Sequence, residues 1–322
     1  MYPKQTNRGK PVFLFVLLTL AALTLLVMAT ISVNKMRDGQ PGFLTNLWAS
    51  ASASQKADPF LDGNPLRINK PTYVKTILFE GTDDYDGSYR TDVLLLAAFN
   101  LRTNKINLIS FPRDLWVQIP NYGNQRINVA HETGGDQMVS DTFAFNFGFR
   151  PDHTIRVDFK GFQKIIQALG NITVNVGKPF QEAYDETGTE WLTLEPGLHE
   201  LGDGQALFYV RSRKNSSDFE RNRRAQEVLK AMLDQFFRPA IIQKRWPRIF
   251  KTVFEEVKTD MKVSDFVLYA LPLIKYSDKE MITSFTITPN EAQSFVTDGG
   301  AQVLSPNLPA IHDILNQVFW VE

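Results

Sequence analysis

The sequence predicts an α/β fold, or its α+β variant, built on one central mixed sheet flanked by helices and preceded by a single N-terminal transmembrane helix. Three observations carry this. Short apolar and β-branched runs alternate with stretches of helical period from about residue 71 onward. Val93–Phe99 (VLLLAAF) is apolar at every position, the pattern of a strand covered on both faces. Val12–Val33 is a run of 22 residues without a charge, long enough to cross about 30 Å of hydrocarbon as a helix.

The 322 residues divide by composition into a tail (1–11), the apolar span (12–33), a linker (34–70) and a folded domain (71–322). Lys4, Arg8 and Lys10 precede the span and Lys35 and Arg37 follow it. The positive-inside bias is slight and puts the tail in the cytoplasm and the domain outside. A cleaved signal peptide has a shorter apolar core, with small residues close behind it. Here the run Ala49–Ser54 comes too late, so the span reads as an uncleaved anchor. Gly39, Pro41, Gly42, Pro59, Gly63 and Pro65 mark the linker.

Within the domain, Val74–Phe79 reads as a strand, Gly81–Tyr89 as a polar loop, Val93–Phe99 as the buried strand, Leu101–Lys105 as a turn and Ile106–Phe111 as a third strand. Short loops favour antiparallel neighbours. Such a meander brings Asp83, Arg90, Asp92 and Arg113 to one end of the sheet, two acids among two arginines. A helix is expected over Asp136–Phe147, then strands at Ile155–Phe159 and Ile172–Val176 around a helix at Gly161–Leu169. Gln181–Thr193 reads as irregular, Pro196-Gly197 as a turn, and Ala206–Val210 leads into an arginine-rich stretch. Beyond Pro239 helices are expected at Trp246–Val257, Val263–Leu271 and Pro309–Phe319, with a strand near Ile282–Ile287.

The arginine stretch, RSRKNSSDFERNRRAQ from Arg211 to Gln226, places Arg211, Arg213, Arg221, Arg223 and Arg224 close together in a chain of zero net charge. Asp218 reads as the N-cap of a helix whose apolar stripe is Val228, Leu229, Met232 and Phe236. Followed back, that stripe puts Arg221 on the buried side, Arg224 at its edge and Arg223 toward solvent. A buried arginine calls for an anion, which a helix N-terminus also favours, and the guanidinium fork suits phosphate oxygens. Zero net charge argues against nucleic-acid binding. The chain has no cysteine, its four histidines lack metal-ligand spacing, and it carries no P-loop, serine nucleophile elbow or EF-hand.

Five motifs then fall in a recognisable order: Arg90-Thr91-Asp92; Ser110-Phe111-Pro112-Arg113-Asp114; Arg126-Ile127-Asn128 with Gly134-Gly135; Val157-Asp158-Phe159 with Gly161-Phe162; and Arg211-x-Arg213 followed by Asp218, Arg221 and Arg224. Together, over Val74–Phe237, they resemble the LytR-CpsA-Psr family. The resemblance implies a phosphotransferase anchored in a bacterial cell membrane, its C-terminal domain extracytoplasmic. Such an enzyme moves a glycopolymer from a polyprenyl-pyrophosphate carrier to peptidoglycan or another cell-wall acceptor. It implies Mg2+ held by Asp83 and Asp92, catalytic roles for Asp92, Asp83 and Arg113, and pyrophosphate binding by Arg90, Arg113, Arg211, Arg213, Arg221 and Arg224. The chain departs from the family pattern at Ala225, where glutamine is usual and Gln226 follows one residue on. Phe111, Arg126 and Asn171 stand for isoleucine, lysine and glycine. Two other functions use the same arginines: a non-catalytic polyprenyl-phosphate-binding regulator or scaffold, and a polyprenyl-pyrophosphate hydrolase.

Overall fold

The strand built on Val93–Phe99 lies at the heart of the molecule. The computed structural model describes residues 58–85, 88–183, 190–212, 217–262, 265, 269 and 281–320. The expected transmembrane span, most of the linker, and all of the expected helix Val263–Leu271 except Asp265 and Tyr269 lie outside them. No helix among the described residues is long and apolar enough to cross a membrane.

β1 (Val74–Tyr85) and β2 (Ser88–Asn100) form a long antiparallel hairpin, so most of the stretch read as a polar loop is strand. Cross-strand pairing overrides the low strand propensity of its aspartates and glycines. β3 (Ile106–Phe111) pairs antiparallel with β2, as the short turn requires. β6 (His153–Asp158) lies parallel to β1 and β12 (Ile282–Thr286) parallel to β3, and β11 (Val257–Thr259) adds an antiparallel edge to β6. The mixed six-stranded order is β11-β6-β1-β2-β3-β12.

Alternation along β2 fills two cores. Leu94, Leu96 and Ala98 pack with Phe111 against Val139, Phe143 and Phe147 of α1 (Ala130–Phe147) and against Ile311 and Leu315 of α6 (Leu308–Trp320). Leu95, Ala97 and Phe99 face the other way, toward Tyr269 and Leu229. Leu229 belongs to α4 (Asp218–Phe236). The sheet is therefore covered on both faces, as the unbroken apolar run requires.

α2 (Phe159–Leu169) starts at an N-cap formed by Asp158, whose carboxylate accepts from Gly161 N at 2.7 Å. It packs through Ile165, Ala168 and Leu169 on Ile249 of α5 (Pro239–Glu256). A third core joins β7 (Ile172–Val176), β8 (Phe180–Ala183), β9 (Trp191–Leu194) and β10 (Gly197–Leu201) to α3 (Asp203–Arg211) and α4. The β8–β9 hairpin replaces the irregular stretch expected around Gln181–Thr193. Phe180, Leu192 and Leu194 anchor it, and that burial is invisible in four-residue strands. Two further hairpins, β4–β5 (Trp116–Ile119 with Gly123–Arg126) and β13–β14 (Ala292–Val296 with Gln302–Pro306), are also absent from the local pattern.

The folded unit begins at Phe60. Ile68 is buried in the core, Asn64 Nδ2 donates to the Ala144 and Phe145 carbonyls, and Lys70 pairs with Asp152 at 2.6 Å. The last part of the segment read as linker is thus packed onto the domain.

Candidate anion site at the sheet end

β1 and β2 change register between Gly81 and Thr82. Gly81 faces Val93 and Thr82 faces Thr91, which leaves Asp92 as the extra residue of a β-bulge. A bulge redirects a side chain that regular pleating would point elsewhere. Asp92 forms an ion pair with Arg113, which follows β3, and both side chains are 14% exposed. Arg113 Nε also lies 3.8 Å from Asp114 and 3.9 Å from Asp218. Arg221, one turn along α4, pairs with Asp218 and lies 4.0 Å from Asp114. Arg126 Nε reaches Asp114 at 3.3 Å. The end of the sheet and the start of a helix thus hold an alternating chain of carboxylates and guanidinium groups.

Three buried polar atoms in this network lack a hydrogen bond: Arg113 Nε, Arg126 Nε and Asn128 Oδ1. The backbones of Arg113 and Asn128 are joined, the Asn128 N–H donating to the Arg113 carbonyl at 3.3 Å. An unfilled guanidinium donor is what an anion would take up.

A second group lies on the hairpin arm. Arg211, at the end of α3, has its guanidinium 3.9 Å above the Phe159 ring and 3.7 Å from Asp83. Arg90 is paired in register with Asp83 and is exposed. The sheet therefore brings together Asp92, Arg113 and Arg221 in one group and Asp83, Arg90 and Arg211 in the other. Arg213 lies outside the described residues. Asp83 and Asp92 offer hard carboxylate oxygens of the kind Mg2+ takes, and two of them leave most of an octahedral shell to water and ligand.

The arginine helix differs from expectation in three respects. Ser217, not Asp218, is the N-cap: its backbone is extended and its hydroxyl accepts from Glu220 N. Asp218 is thereby released to pair with Arg221 and to accept from Asp114 N at 3.3 Å. The deeply buried arginine is Arg224, at 1% exposure, rather than Arg221. Arg224 donates to the Ser212 carbonyl at 2.8 Å and lies over the rings of Phe180 and Tyr209. Burial lowers its pKa from the ordinary guanidinium value. It offers no surface to a ligand. Arg223 does not face open solvent but is half-buried, clasped by Glu220 and Glu227. The stripe Val228–Met232 gave the helix phase only to within about one residue, and the β8–β9 hairpin supplies the extra cover over Arg224.

Gln226, one place beyond the usual glutamine position, is buried and donates to Ser110 Oγ and to the Phe285 carbonyl, both at 2.9 Å. It ties α4 to β3 and β12. Asp114 lies between Arg113, at 3.8 Å, and Arg126, at 3.3 Å.

Sequence reading missed a buried ion cluster beside the site. Glu80, wholly buried in β1, accepts from Thr91. Its carboxylate lies 3.5 Å from His131 Nδ1, which is 3.4 Å from Asp136. These three are metal-type ligands within 4.8 Å of one another. Arg156, the register partner of Glu80, pairs with Asp136 and lies 2.7 Å from His131 Nε2, so a guanidinium already supplies the cation. The local signal was a lone glutamate in an apolar strand, ILFEG. Gly134 and Gly135 kink α1 at this point; Gly135, at φ +65°, lets the helix restart at Asp136.

A mixed sheet covered by helices on both faces, with an arginine–carboxylate cluster at its bulged end, is an α/β architecture. The LytR_cpsA_psr family model matches residues 44–318, and the chain belongs to the LytR-CpsA-Psr family. Regulatory protein MsrR of Staphylococcus aureus (strain COL) is 28% identical over 251 residues, 75% of this chain and 74% of its own. The polyisoprenyl-teichoic acid–peptidoglycan teichoic acid transferase TagU of Oceanobacillus iheyensis is 31% identical over 191 residues, 56% of this chain and 58% of its own. The crystal structure of B. subtilis TagV superposes with a TM-score of 0.64 at 25% identity, covering 77% of this chain and 98% of that one.

Proposed function

We propose that this chain is a membrane-anchored, extracytoplasmic phosphotransferase that moves a glycopolymer from a polyprenyl-pyrophosphate carrier onto a cell-wall acceptor such as peptidoglycan. The observation that carries the reading is the bulged Asp92 set against Arg113, Asp114, Asp218 and Arg221. A pyrophosphate entering there exchanges the carboxylate partners of Arg113 and Arg221 for its own oxygens and fills the open Arg113 Nε donor. Arg211 and Arg90 extend the positive charge along the hairpin arm. The activity named for the TagU relative, teichoic acid transfer to peptidoglycan, supports the same reading.

Phosphoryl transfer asks a protein mainly for positioning and charge neutralisation. The acceptor hydroxyl oxygen attacks the glycan-side phosphorus. The bond from that phosphorus to the bridging oxygen breaks, polyprenyl phosphate leaves with the electron pair, and the hydroxyl proton passes to a carboxylate. Asp92 and Asp83 are the candidates for that base. Mg2+, where bound, would sit on these two carboxylates and neutralise phosphate charge. Arg224 acts as a positioning residue that fixes the start of α4 and so places Arg221.

The test is to incubate the purified full chain with a polyprenyl-pyrophosphate-linked glycan and peptidoglycan fragments, and to follow glycan attachment and polyprenyl phosphate release separately. Attachment lost in Asp92→Asn is the expected result. Release of polyprenyl phosphate with free glycan phosphate and no attachment would indicate a hydrolase. Tight binding without turnover would indicate the regulator that the name of the MsrR relative suggests.

A further inference from the structure

α5 carries a feature that neither the fold nor the anion site uses. Ile249 and Val253 bury its inner face against α2. On the outer side Trp246, Phe250 and Phe254 repeat every fourth residue, a spacing that stacks them in one stripe. They are 43%, 65% and 76% exposed, and the Phe250 and Phe254 rings stack at 6.3 Å. Scattered exposed apolar residues are ordinary, but three large rings in a row are not.

Lys244, Arg248 and Lys251 project from the adjoining sector of the same helix, all exposed. Lys251 approaches Glu255 at 3.8 Å. Lys244 and Arg248 have no acidic partner among the described residues. Rings that seek an apolar medium, beside cations left without counter-charges, match the interface of an anionic bilayer. The C-terminal end of the stripe also leads to the candidate site. Glu256 pairs with Lys164 of α2 at 2.7 Å, and α2 begins at Phe159, under Arg211.

We infer that the outer face of α5 docks on an anionic lipid surface, with Trp246, Phe250 and Phe254 entering the headgroup–acyl boundary and Lys244, Arg248 and Lys251 meeting lipid phosphates. Docking there turns the Arg211 end of the site toward the plane in which a lipid-linked pyrophosphate would lie. The inference does not depend on the chain transferring glycan.

The chain contains no cysteine, so Phe250→Cys, Phe254→Cys and, as an exposed control on β10, Leu198→Cys each accept a single nitroxide label. Each full-length variant is reconstituted into nanodiscs of phosphatidylglycerol or of phosphatidylcholine. The accessibility of the label to oxygen and to a nickel chelate is then measured. The expected result is a lipid-like ratio at 250 and 254 in phosphatidylglycerol, a water-like ratio at both in phosphatidylcholine, and a water-like ratio at 198 in either. Replacing Lys244, Arg248 and Lys251 by glutamine should lower the ratio of docked to undocked chain on the order of fivefold for each charge removed. Water-like labels at 250 and 254 in phosphatidylglycerol overturn the proposal. Shielding that is equal in both lipids and accompanied by label–label coupling also overturns it, in favour of self-association. A chain that does not incorporate into either disc overturns it together with the anchor.

Discussion

Arg221 and Arg224 lie three residues apart on α4, yet the structure gives them different work, and replacing each by alanine separates the two roles. In Arg224→Ala the lost contacts are a 2.8 Å bond to the Ser212 carbonyl, a longer one at 3.4 Å to the Glu220 carbonyl, and the faces of Phe180 and Tyr209. A hydrogen bond from a charged donor contributes about 1.5–3 kcal/mol, and each ring about 0.5–1 kcal/mol or more. Glu182, only 8% exposed, loses its nearby cation. The sum, about 3–5 kcal/mol, agrees with the cost of removing one partner of a buried charge pair. At about 2–4 °C per kcal/mol for a domain of this size, Tm should fall by roughly 6–20 °C. Arg221→Ala instead removes a cation from the mouth of the anion site. It should weaken inorganic pyrophosphate binding by more than about 1 kcal/mol, roughly fivefold in Kd, with the smaller loss of Tm. Scanning calorimetry and titration with pyrophosphate on both variants check this. A Tm for Arg224→Ala within about 2 °C of wild type, with a binding loss equal to that of Arg221→Ala, would refute the assignment.

Three further outcomes are expected. Asp92→Asn should abolish glycan attachment in the transfer assay while lowering Tm by only about 2–6 °C, because Asp114 and Asp218 remain beside Arg113; unchanged attachment and metal dependence would mean that the Asp92–Arg113 pair serves only the fold. Gly148→Ala should cost more than about 2 kcal/mol by urea unfolding, because Gly148 caps α1 at φ +73° and a Cβ there would meet the Leu66 carbonyl oxygen at 1.8 Å. Burial pushes the Glu220 carboxyl up, but hydrogen bonds from Lys178 and Arg223 outweigh it and hold the folded pKa below the ordinary glutamate value. Near that value, about pH 4.3, the unfolded chain binds more protons, so the contribution is present above it and is lost as pH falls through the folded value. Glu220→Gln should therefore lower the urea midpoint at pH 7, and the difference from wild type should vanish in acid.

The local pattern of the chain was enough to place β3 at Ile106–Phe111 and β7 at Ile172–Val176 and to mark Val93–Phe99 as a strand buried on both sides. In each case the information is carried within one element, as period or run length. That Asp83, Arg90, Asp92 and Arg113 fall toward one end of the meander was legible from its short turns, but the structure divides them, setting Asp92 with Arg113 and Asp83 with Arg90 and Arg211. Tertiary structure decided the rest. Whether GTDDYDGSY is loop or strand depends on its cross-strand partners. The bulge that singles out Asp92 is a mismatch between two strands and exists in neither alone. The depth of Arg224 depends on Phe180 and Tyr209, contributed by β8 and α3, and the ionisable group beside Glu80 is His131, which Arg156 of another strand contacts in turn. Burial and charge compensation are properties of contacts between distant segments, whereas a local pattern reports only which face of an element is apolar.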